Sequence, residues 1–277
     1  MRAYRALIGG TFRKMLAYRL RYVTGIVSYL VYVTTNHFIW KAAYAGQKPA
    51  VGGASDGAGG AATIGGLTAQ QMAGYVAVGW VARSFYFNNV DREIAEQVQN
   101  GTIAVALSRP VSFQGSIVAT SLGEALFRFF FFTLPIGAAI FLLFPVPAPA
   151  SALHAAAFVL SLCFANLILT HINFLVGMAA FPLKNIDGVM RAKHYLIEIL
   201  SGLLVPVSFF PGWLWRTSRF LPFASIGYAP NQIWLGTVSG SGLWRTLAEQ
   251  AFWVAALAAL CAMVWRRAAR RLSLQGG

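Results

Sequence analysis

The chain has 277 residues, of which 57% are hydrophobic and 11% are charged, and its formal net charge at pH 7 is +14. This apolar composition excludes an intrinsically disordered protein and argues against an ordinary soluble domain. A basic excess of this size is also found in nucleic-acid-binding proteins, but its distribution along this chain favours a membrane protein instead.

Six long apolar stretches dominate the chain and predict an all-α, polytopic membrane protein with six transmembrane helices. They cover residues 22–43, 68–87, 117–144, 152–181, 195–210 and 243–264. A helix needs about 20 residues to cross the hydrocarbon core, so most of these stretches are long enough, although the fifth is short. We expect the whole chain, residues 1–277, to form a single transmembrane domain.

Most of the 22 Lys and Arg residues fall in segments that would share one side of the membrane. Because basic residues are retained in the cytosol during insertion, this pattern predicts that both termini are cytosolic. No cleavable signal peptide is evident before the first apolar stretch, and these features fit a bacterial inner membrane. The basic segments are expected to contact anionic lipids, and their placement argues against nucleic acid as a partner.

Two segments outside the spans have distinct compositions. Residues 1–21 are basic and carry apolar side chains on one helical face, which predicts an interfacial helix on the cytosolic leaflet. The alternative for this segment is a disordered basic leader. Residues 46–66 are rich in Gly and Ala and predict a flexible external loop.

The most informative polar segment is the cytosolic loop of residues 88–115. Within it, residues 89–101 predict a short helix with a capping carboxylate, an acidic first turn, a narrow apolar face and a terminal glycine. These features are, in that order, Asp91, Glu93, Ile94 with Val98, and Gly101. We expect such a helix to contact a partner, and the alternative is a plain helical connector.

The third apolar stretch carries two charges, Glu124 and Arg128, which lie four residues apart and can pair on one helix face. Charged side chains are costly in a bilayer, so one interpretation is a polar site that lines a pathway. The other, which we favour, is an ion pair near the headgroups, with Arg128 extended towards them. Glu198, near the start of the fifth stretch, can pair with a basic residue of 184–193 or with Arg128.

The fourth stretch carries polar side chains that suit hydrogen bonds to neighbouring helices. Asn166, Thr170 and Asn173 lie close to one helix face, whereas His171 does not share the face of Asn173. We expect His171 to be structural, and the alternative is a role in a proton relay.

Residues 209–242 are apolar and aromatic but are interrupted by three prolines, which predicts a re-entrant outer segment before the sixth span. The sequence contains no phosphate-binding loop, no metal-binding motif and no spacing that suggests a Ser, His and Asp constellation. The two cysteines, Cys163 and Cys261, indicate neither a disulfide nor a metal site. We therefore expect a non-catalytic chain that binds no cofactor or metal itself.

The basic interfacial helix, the six spans, the helical loop after the second span and the broken segment before the sixth resemble the membrane (permease) subunit of a type 2 ABC exporter. Residues 101–110 and 18–22 are similar to a bacterial branch in which two related permeases often occur together. In this family the ATPase is usually a separate chain, which agrees with the missing phosphate-binding loop.

The resemblance implies that two permeases enclose a pathway and that separate ATPase subunits, which bind ATP and Mg²⁺, dock below them. It implies that residues 89–101 are the coupling helix, residues 2–21 the connecting helix and residues 209–242 an outer lid. The residues assigned to ATPase coupling are Asp91, Glu93, Ile94, Val98, Gly101 and Arg109. The implied cargo is an amphipathic small molecule or a drug, while related permeases move lipids, glycans and peptides.

The candidate residues for the pathway or for intramembrane polar contacts are Glu124, Arg128, Asn166, His171 and Glu198. The alternative function is a proton-coupled secondary multidrug carrier in which Glu124, His171 and Glu198 titrate. A membrane enzyme or scaffold is a third possibility. The sequence leaves open which cargo is moved and whether the second permease is another copy or a related chain.

Overall fold

The computed structural model describes residues 2–17, 20–46, 63–64, 67–107, 111–144, 146–183 and 185–275, most of them helical. Helices α1 to α5 are Arg2–Ala17, Leu20–Ala45, Ala69–Tyr86, Val90–Gln99 and Ile103–Leu107. Helices α6 to α12 are Phe113–Arg128, Leu134–Leu143, Ala152–Met178, Asp187–Leu200, Gly212–Arg219, Tyr228–Trp234 and Ser241–Gln275. Strands β1 and β2, Thr63–Ile64 and Leu67–Thr68, pair in an antiparallel hairpin.

Some predicted features lie in residues that the structure does not describe. Arg109, the part of the predicted external loop at 47–62, and portions of the tracts at 18–22 and 101–110 lie outside the described residues.

Helix α3 begins directly after the hairpin, where the hydroxyl of Thr68 and the side chain of Gln71 form a capping box. The start of the second predicted span is therefore set by local sequence.

Three helical segments of the described chain are long and apolar enough to cross a membrane: Phe113–Leu143, Ala152–Met178 and Ser241–Arg270. They correspond to the third, fourth and sixth predicted spans. Helices α2 and α3 coincide with the first and second predicted spans. The predominantly helical fold is thereby confirmed, whereas the count of six spans stays a prediction.

The helix over Phe113–Leu143 contains a π-helical turn, Phe129–Thr133, between α6 and α7. Pro135 follows this turn, and a proline inside an α-helix lacks a backbone donor and crowds the turn before it. The wider π turn accommodates the proline without ending the helix. The two halves of this long helix therefore remain continuous.

The central helix of the bundle is α8, which packs against α3, α4, α6, α9, α11 and α12. Its apolar side chains, including Leu162, Ala165 and Ile168, form the main hydrophobic core with side chains of α3, α11 and α12. Close packing of these side chains is what holds the neighbouring helices in place. Any side chain on α8 is consequently fixed relative to most of the molecule.

The prediction of a fifth span over residues 195–210 is wrong as a single helix. Helix α9 ends at Leu200, and the chain continues through turns to a short 3₁₀ segment at Val207–Phe209. Gly202 has a φ of +76°, a left-handed conformation that commonly follows the end of a helix. Pro206 then prevents the helix from resuming in this stretch.

Residues 209–242 contain two short helices, α10 and α11, separated by turns, and end in the start of α12. Helix α11 packs against α3 and α8, and the buried amide of Asn231 donates to the carbonyl of Tyr75. A Cβ atom at Gly79 would lie 2.8 Å from Nδ2 of Asn231, so a larger residue there would displace this amide. Insertion of the segment into the membrane stays a prediction.

Helix α1 corresponds to the predicted interfacial helix of residues 1–21 and packs along α6. A Cβ atom at Gly123 would lie 2.5 Å from the carbonyl oxygen of Ile8, so the two backbones are in direct contact at this glycine. Phe12 packs edge to face on Phe127, with ring centroids 5.9 Å apart. Residues of α1 are therefore attached to the bundle and do not form a disordered leader.

We predict that Gly123→Val separates α1 from α6, because the added side chain would overlap the backbone of Ile8. An overpacking cost of about 1–3 kcal/mol should raise hydrogen exchange of residues 2–17 by about tenfold, as measured by mass spectrometry in nanodiscs. Gly188→Ala is the matched control, since a Cβ there meets nothing within 4 Å. Unchanged exchange in Gly123→Val would contradict the close contact.

Candidate functional site

Helix α4 lies across the end of α8 at Gly177. A Cβ atom at this position would lie 2.8 Å from Cβ of Ile94 and 3.1 Å from Cα of Asp91. Only glycine allows the α4 backbone to approach α8 so closely. The short polar helix is thus seated on the central helix of the bundle.

The apolar side of α4 faces the protein itself. Ile94 is fully buried and Val98 is half-buried, and both pack in a cluster formed with α8 and α12. An amphipathic helix turns its apolar stripe towards the nearest apolar surface, and α8 and α12 provide that surface. The side chains that a partner can reach are instead on the opposite side, where Arg92 and Glu96 are exposed.

The prediction for the C-terminal end of α4 is confirmed, whereas the prediction for its N-terminal cap is wrong. Gly101 follows the helix with a φ of +70°, so its role as the stop is confirmed. The prediction that Asp91 caps the helix is wrong, because Asn89 occupies the cap position and Asp91 is the second helical residue. The Asp91 carboxylate instead pairs with the ammonium of Lys193 at 2.7 Å. Glu93 lies in the acidic first turn, as predicted.

Lys193 connects α9 to both α4 and α8. Its ammonium donates to Oδ2 of Asp91 at 2.7 Å and to Oδ1 of Asn173 at 2.6 Å. Nδ2 of Asn173 donates in turn to the main-chain and side-chain oxygens of Asn88, at 2.9 and 2.8 Å. Charged and polar groups are tolerated in an interior when they are paired in this way. One lysine and two asparagines therefore join three helices to the α3–α4 connection.

The network continues from α8 to α6. Nδ2 of Asn88 donates to the hydroxyl of Thr170 at 3.1 Å, and Thr170 and Ser121 share a hydrogen bond of 2.6 Å. The Ser121 hydroxyl also donates to Oδ1 of Asn166 at 3.3 Å. The prediction that Asn166, Thr170 and Asn173 share a face and bond to neighbouring elements is confirmed.

The predicted pair of Glu124 and Arg128 is also confirmed. Oε1 of Glu124 accepts hydrogen bonds from Nε and Nη2 of Arg128 at 2.9 and 2.6 Å, and both residues are 8% exposed. Arg128 is thus paired and largely buried in the protein, and the position of this pair relative to the headgroups stays a prediction. His171 donates from Nδ1 to the carbonyl of Leu167 at 2.6 Å, a contact within its own helix that supports a structural role.

A partly open cavity of about 450 Å³, which we call the charged cavity, lies between α2, α3, α6 and α9. On its wall, Glu198 pairs with Arg83 at 3.1 Å and with His194 at 3.2 Å. The guanidinium carbon of Arg83 also lies 5.4 Å from the ring centre of Trp80 and 4.9 Å from that of Phe87. The cavity therefore combines aromatic surface with charges that are already paired.

Arg83 and Lys193 are central to these contacts, and the sequence alone did not identify them as site residues. Each stands near the end of an apolar stretch, where a basic side chain also serves membrane orientation. The sequence does indicate that each of these charges needs a partner, because a charge in or beside an apolar helix is costly when it is unpaired. It does not indicate which residue the partner is.

Glu93 lies outside the three candidate membrane-spanning helices. Burial raises the pKa of its carboxyl above the ordinary value, the nearby Glu124 carboxylate raises it further, and Lys14 of α1 lowers it. Charges from α1 and α6 thus act on the same carboxyl of α4. The first turn of α4 is consequently electrostatically linked to both neighbouring helices.

The described chain combines three apolar helices of membrane-spanning length, a polar helix seated on the end of α8, and a partly open cavity with aromatic and charged walls. In the same part of the chain, no group of three or more His, Cys, Asp or Glu side chains is arranged to hold a metal ion. These features are typical of an integral membrane protein.

A family model described as ABC-2 family transporter protein matches residues 60–276. The chain therefore belongs to the ABC-2 family, which confirms the resemblance found in the sequence. It is a permease component of an ABC transporter, and members of this family are membrane components and not the catalytic ATPase. No curated protein matches the sequence.

We predict that Asn173→Ala lowers the melting temperature in detergent, because it leaves Lys193 and Asn88 with fewer buried partners. Each unsatisfied buried group costs about 1–3 kcal/mol. Asn36→Ala is the matched control, since Asn36 donates only to the carbonyl of Tyr32 in its own helix, and its melting temperature should stay near that of the wild type. Equal melting temperatures for both variants would show that the network adds no stability.

We predict that Glu93→Gln is more stable than the wild type at neutral pH. The pKa of Glu93 is higher in the folded than in the unfolded chain, so stability is lost as the pH rises from the ordinary value of 4.5 through the raised pKa. The advantage of Glu93→Gln should therefore shrink as the pH is lowered towards 4.5, which melting curves over a pH series will measure. Asp187→Asn, an exposed carboxylate on α9, is the control, and an equal pH-dependent gain there would contradict the burial of Glu93.

Proposed function

We propose that the chain is the permease subunit of an ATP-driven ABC exporter, coupled to separate ATPase subunits that bind ATP and Mg²⁺. The observation that carries this proposal is the anchorage of α4, which is seated on α8 at Gly177 and joined to α9 through the Asp91–Lys193 pair. A helix attached in this way can transmit a push from a partner to the spans. Its exposed side chains, including Arg92 and Glu96, would contact the ATPase.

The coupling mechanism follows from what α4 holds. Residues 87–89 connect α3 to α4, and Asn88 in this connection is bonded to Asn173 and Thr170 of α8. When the ATPases close on ATP, a displacement of α4 would move the end of α3 and the walls of the charged cavity together. Coupling residues in this scheme are Asp91, Glu93, Ile94, Val98 and Gly101, with Arg109 at the end of the same loop.

The proposed topology has six spans, with both termini in the cytosol of a bacterial cell and the chain in its cytoplasmic membrane. Helix α1 would lie on the inner surface as the connecting helix, and the segment 209–242 would form the outer lid. The concentration of Lys and Arg in the same segments supports this orientation. Anionic lipids of the inner leaflet would contact these basic segments.

A second permease, either another copy or a related chain, would complete the pathway. The charged cavity opens beside α2 and α9, and these helices carry exposed apolar side chains. They are Val27, Val31, Tyr32, Tyr195, Leu196 and Ile199. A facing permease that covered this apolar surface would enclose the cavity between the two subunits, and amphipathic small molecules or drugs would leave through it.

The alternative of a proton-coupled carrier assigns titrating roles to Glu124, His171 and Glu198. Each of these side chains has a different neighbour: Glu124 binds Arg128, His171 binds the Leu167 carbonyl, and Glu198 binds Arg83. A proton relay needs groups that pass a proton from one to the next, so these separate contacts favour the exporter.

We predict that reversing the exposed charges of α4, with Arg92→Glu and Glu96→Lys together, removes the ATPase. The double variant keeps the net charge but places like charges against a complementary partner surface, so co-purified ATPase should fall by about tenfold or more. The measurement is affinity purification of the tagged chain in mild detergent, followed by quantitative mass spectrometry. The melting temperature should stay near that of the wild type, because both side chains are exposed.

The matched control is Arg216→Glu on α10, an exposed charge reversal far along the chain from α4, which should retain the ATPase. Wild-type protein that recovers no ATPase, in detergent and in nanodiscs alike, would overturn the exporter proposal. An ATPase retained by the double variant would overturn the coupling role of α4.

A further inference from the structure

Another cavity lies at the end of the bundle opposite to α4. It has a volume of about 260 Å³ and is enclosed by α10, α11 and the first turns of α12, and we call it the lid cavity. Val238 lines it, and the carbonyl oxygen of Val238 accepts a hydrogen bond from Nε2 of His154, near the start of α8, at 3.1 Å. Helix α4 is seated at Gly177, near the other end of α8. In the proposed topology the lid cavity therefore lies at the level of the outer leaflet.

Glu249 is an acid of a membrane-spanning helix, and it lines the lid cavity. The apolar span begins at Ser241, so Glu249 lies about 12 Å of helical rise inside it. Glu124 and Glu198 are each paired with an arginine, whereas no ion pair or hydrogen bond joins the Glu249 carboxylate to any described residue. A carboxylate at such a depth is costly without a cation, so a ligand is the partner that remains.

The polar lining of the lid cavity consists of groups that can accept hydrogen bonds. The side chains with oxygen atoms are Ser218, Ser225, Tyr228, Gln232, Thr246 and Glu249, and no Lys or Arg of the described chain lines the cavity. A primary ammonium group has three N–H donors, and Glu249 would supply its counter-charge. Drug-sized ligands occupy about 300–1,000 Å³, so a cavity of about 260 Å³ suits an ammonium headgroup better than a complete drug.

A basic side chain stands beside the carboxylate without neutralising it. Arg245 precedes Glu249 by one turn of α12, and both side chains are exposed. They do not form an ion pair, and an arginine placed before the acid is the less favourable order for such a pair in a helix. A cavity that accepts a cation thus adjoins a guanidinium group that can bind a phosphate. Charges in this arrangement are complementary to a zwitterion with a short link between its ammonium and phosphate groups.

Exposed aromatic side chains border the same end of the molecule. Trp213 and Phe220 are 69% and 80% exposed and lie seven residues apart, on the side of α10 away from the buried Ser218. Trp244, directly before Arg245, is 59% exposed. Tryptophan prefers the level of the headgroups in a bilayer, where its ring meets the first part of the acyl chains. The surroundings of the lid cavity therefore fit a membrane lipid better than a soluble amine.

We propose that the lid cavity and Arg245 bind the headgroup of phosphatidylethanolamine. Its ammonium group would lie in the cavity at Glu249, its phosphate at Arg245, and its acyl chains along the exposed aromatic rings. A lipid bound in this way would join α10 to α12. The site goes beyond the proposed function, and only its assignment to the outer leaflet rests on the proposed topology.

The test compares phosphatidylethanolamine with phosphatidylcholine of identical acyl chains. Both are zwitterions, but the trimethylammonium group of phosphatidylcholine has no N–H donor. Each lipid is titrated into the full chain in detergent micelles, and native mass spectrometry measures the affinity of the first lipid bound. Phosphatidylethanolamine should bind about tenfold tighter. Glu249→Gln should weaken its binding by about tenfold and remove most of the difference between the two lipids.

Asp187→Asn removes an exposed carboxylate outside the lid cavity and is the matched control, which should keep the preference of the wild type. Arg245→Gln should weaken both lipids by a similar factor, because both carry the phosphate. Equal affinities of the wild type for the two lipids overturn the proposal, and this comparison needs no variant. A preference that Glu249→Gln retains in full overturns it as well.

A soluble headgroup distinguishes a lipid site from a site for a free amine. Glycerophosphoethanolamine, which lacks acyl chains, should bind at least about tenfold more weakly than the lipid. Equal binding of the two would overturn the lipid as the occupant. Because no ATPase enters these experiments, their failure leaves the co-purification result for the exporter intact.

Discussion

The structure depends on how an apolar bundle satisfies its buried polar groups. The amide of Asn173 on the central helix accepts from Lys193 and donates to Asn88, so a single side chain holds α9 and the α3–α4 connection against α8. Water is scarce in such surroundings, and an unpaired amide or ammonium there is costly. The position of α4, the walls of the charged cavity and the register of α6 against α8 all follow from this network.

Two glycines complement the network by allowing backbones to touch. Gly123 admits α1 to the side of α6, and Gly177 admits α4 to the end of α8. Association of helices in membranes relies on close packing of small residues, because the lipid removes most of the hydrophobic drive. The two amphipathic helices that flank the bundle, α1 and α4, are therefore joined to it by direct backbone contact and by charge, and charges of α1 and α6 act on Glu93 of α4.

The features that could be predicted from the sequence are those set by neighbours along the chain. The stop at Gly101, the i, i+4 pair of Glu124 and Arg128, and the polar face of α8 all follow from helical periodicity. The contact between Lys193 and Asp91 joins residues 102 positions apart, and periodicity carries no information about it. The sequence also could not show which surface would cover the apolar side of Ile94.

The C-terminal end of α9 is a second feature that hydropathy does not predict. Hydropathy extends past Leu200 without a break, yet the chain turns at Gly202, whose left-handed backbone is a matter of local conformation and not of polarity. The fifth span predicted from hydropathy, residues 195–210, therefore extends past the observed end of α9 at Leu200. The same reasoning explains why residues of the charged cavity, which come from four helices, were recognised only in part.

The π turn between α6 and α7 has a consequence for how this gene could tolerate length changes. A π turn holds one residue more than an α turn, and one residue turns an α-helix by about 100°. Deleting a single phenylalanine from Phe129–Thr133 would replace the π turn by a regular α turn, and Ile136 and Ile140, both fully buried, would keep their orientation towards the core. The π turn thus absorbs one additional residue within the four-phenylalanine tract, so a loss of one residue there should be tolerated better than a loss of one residue within α6 or α7.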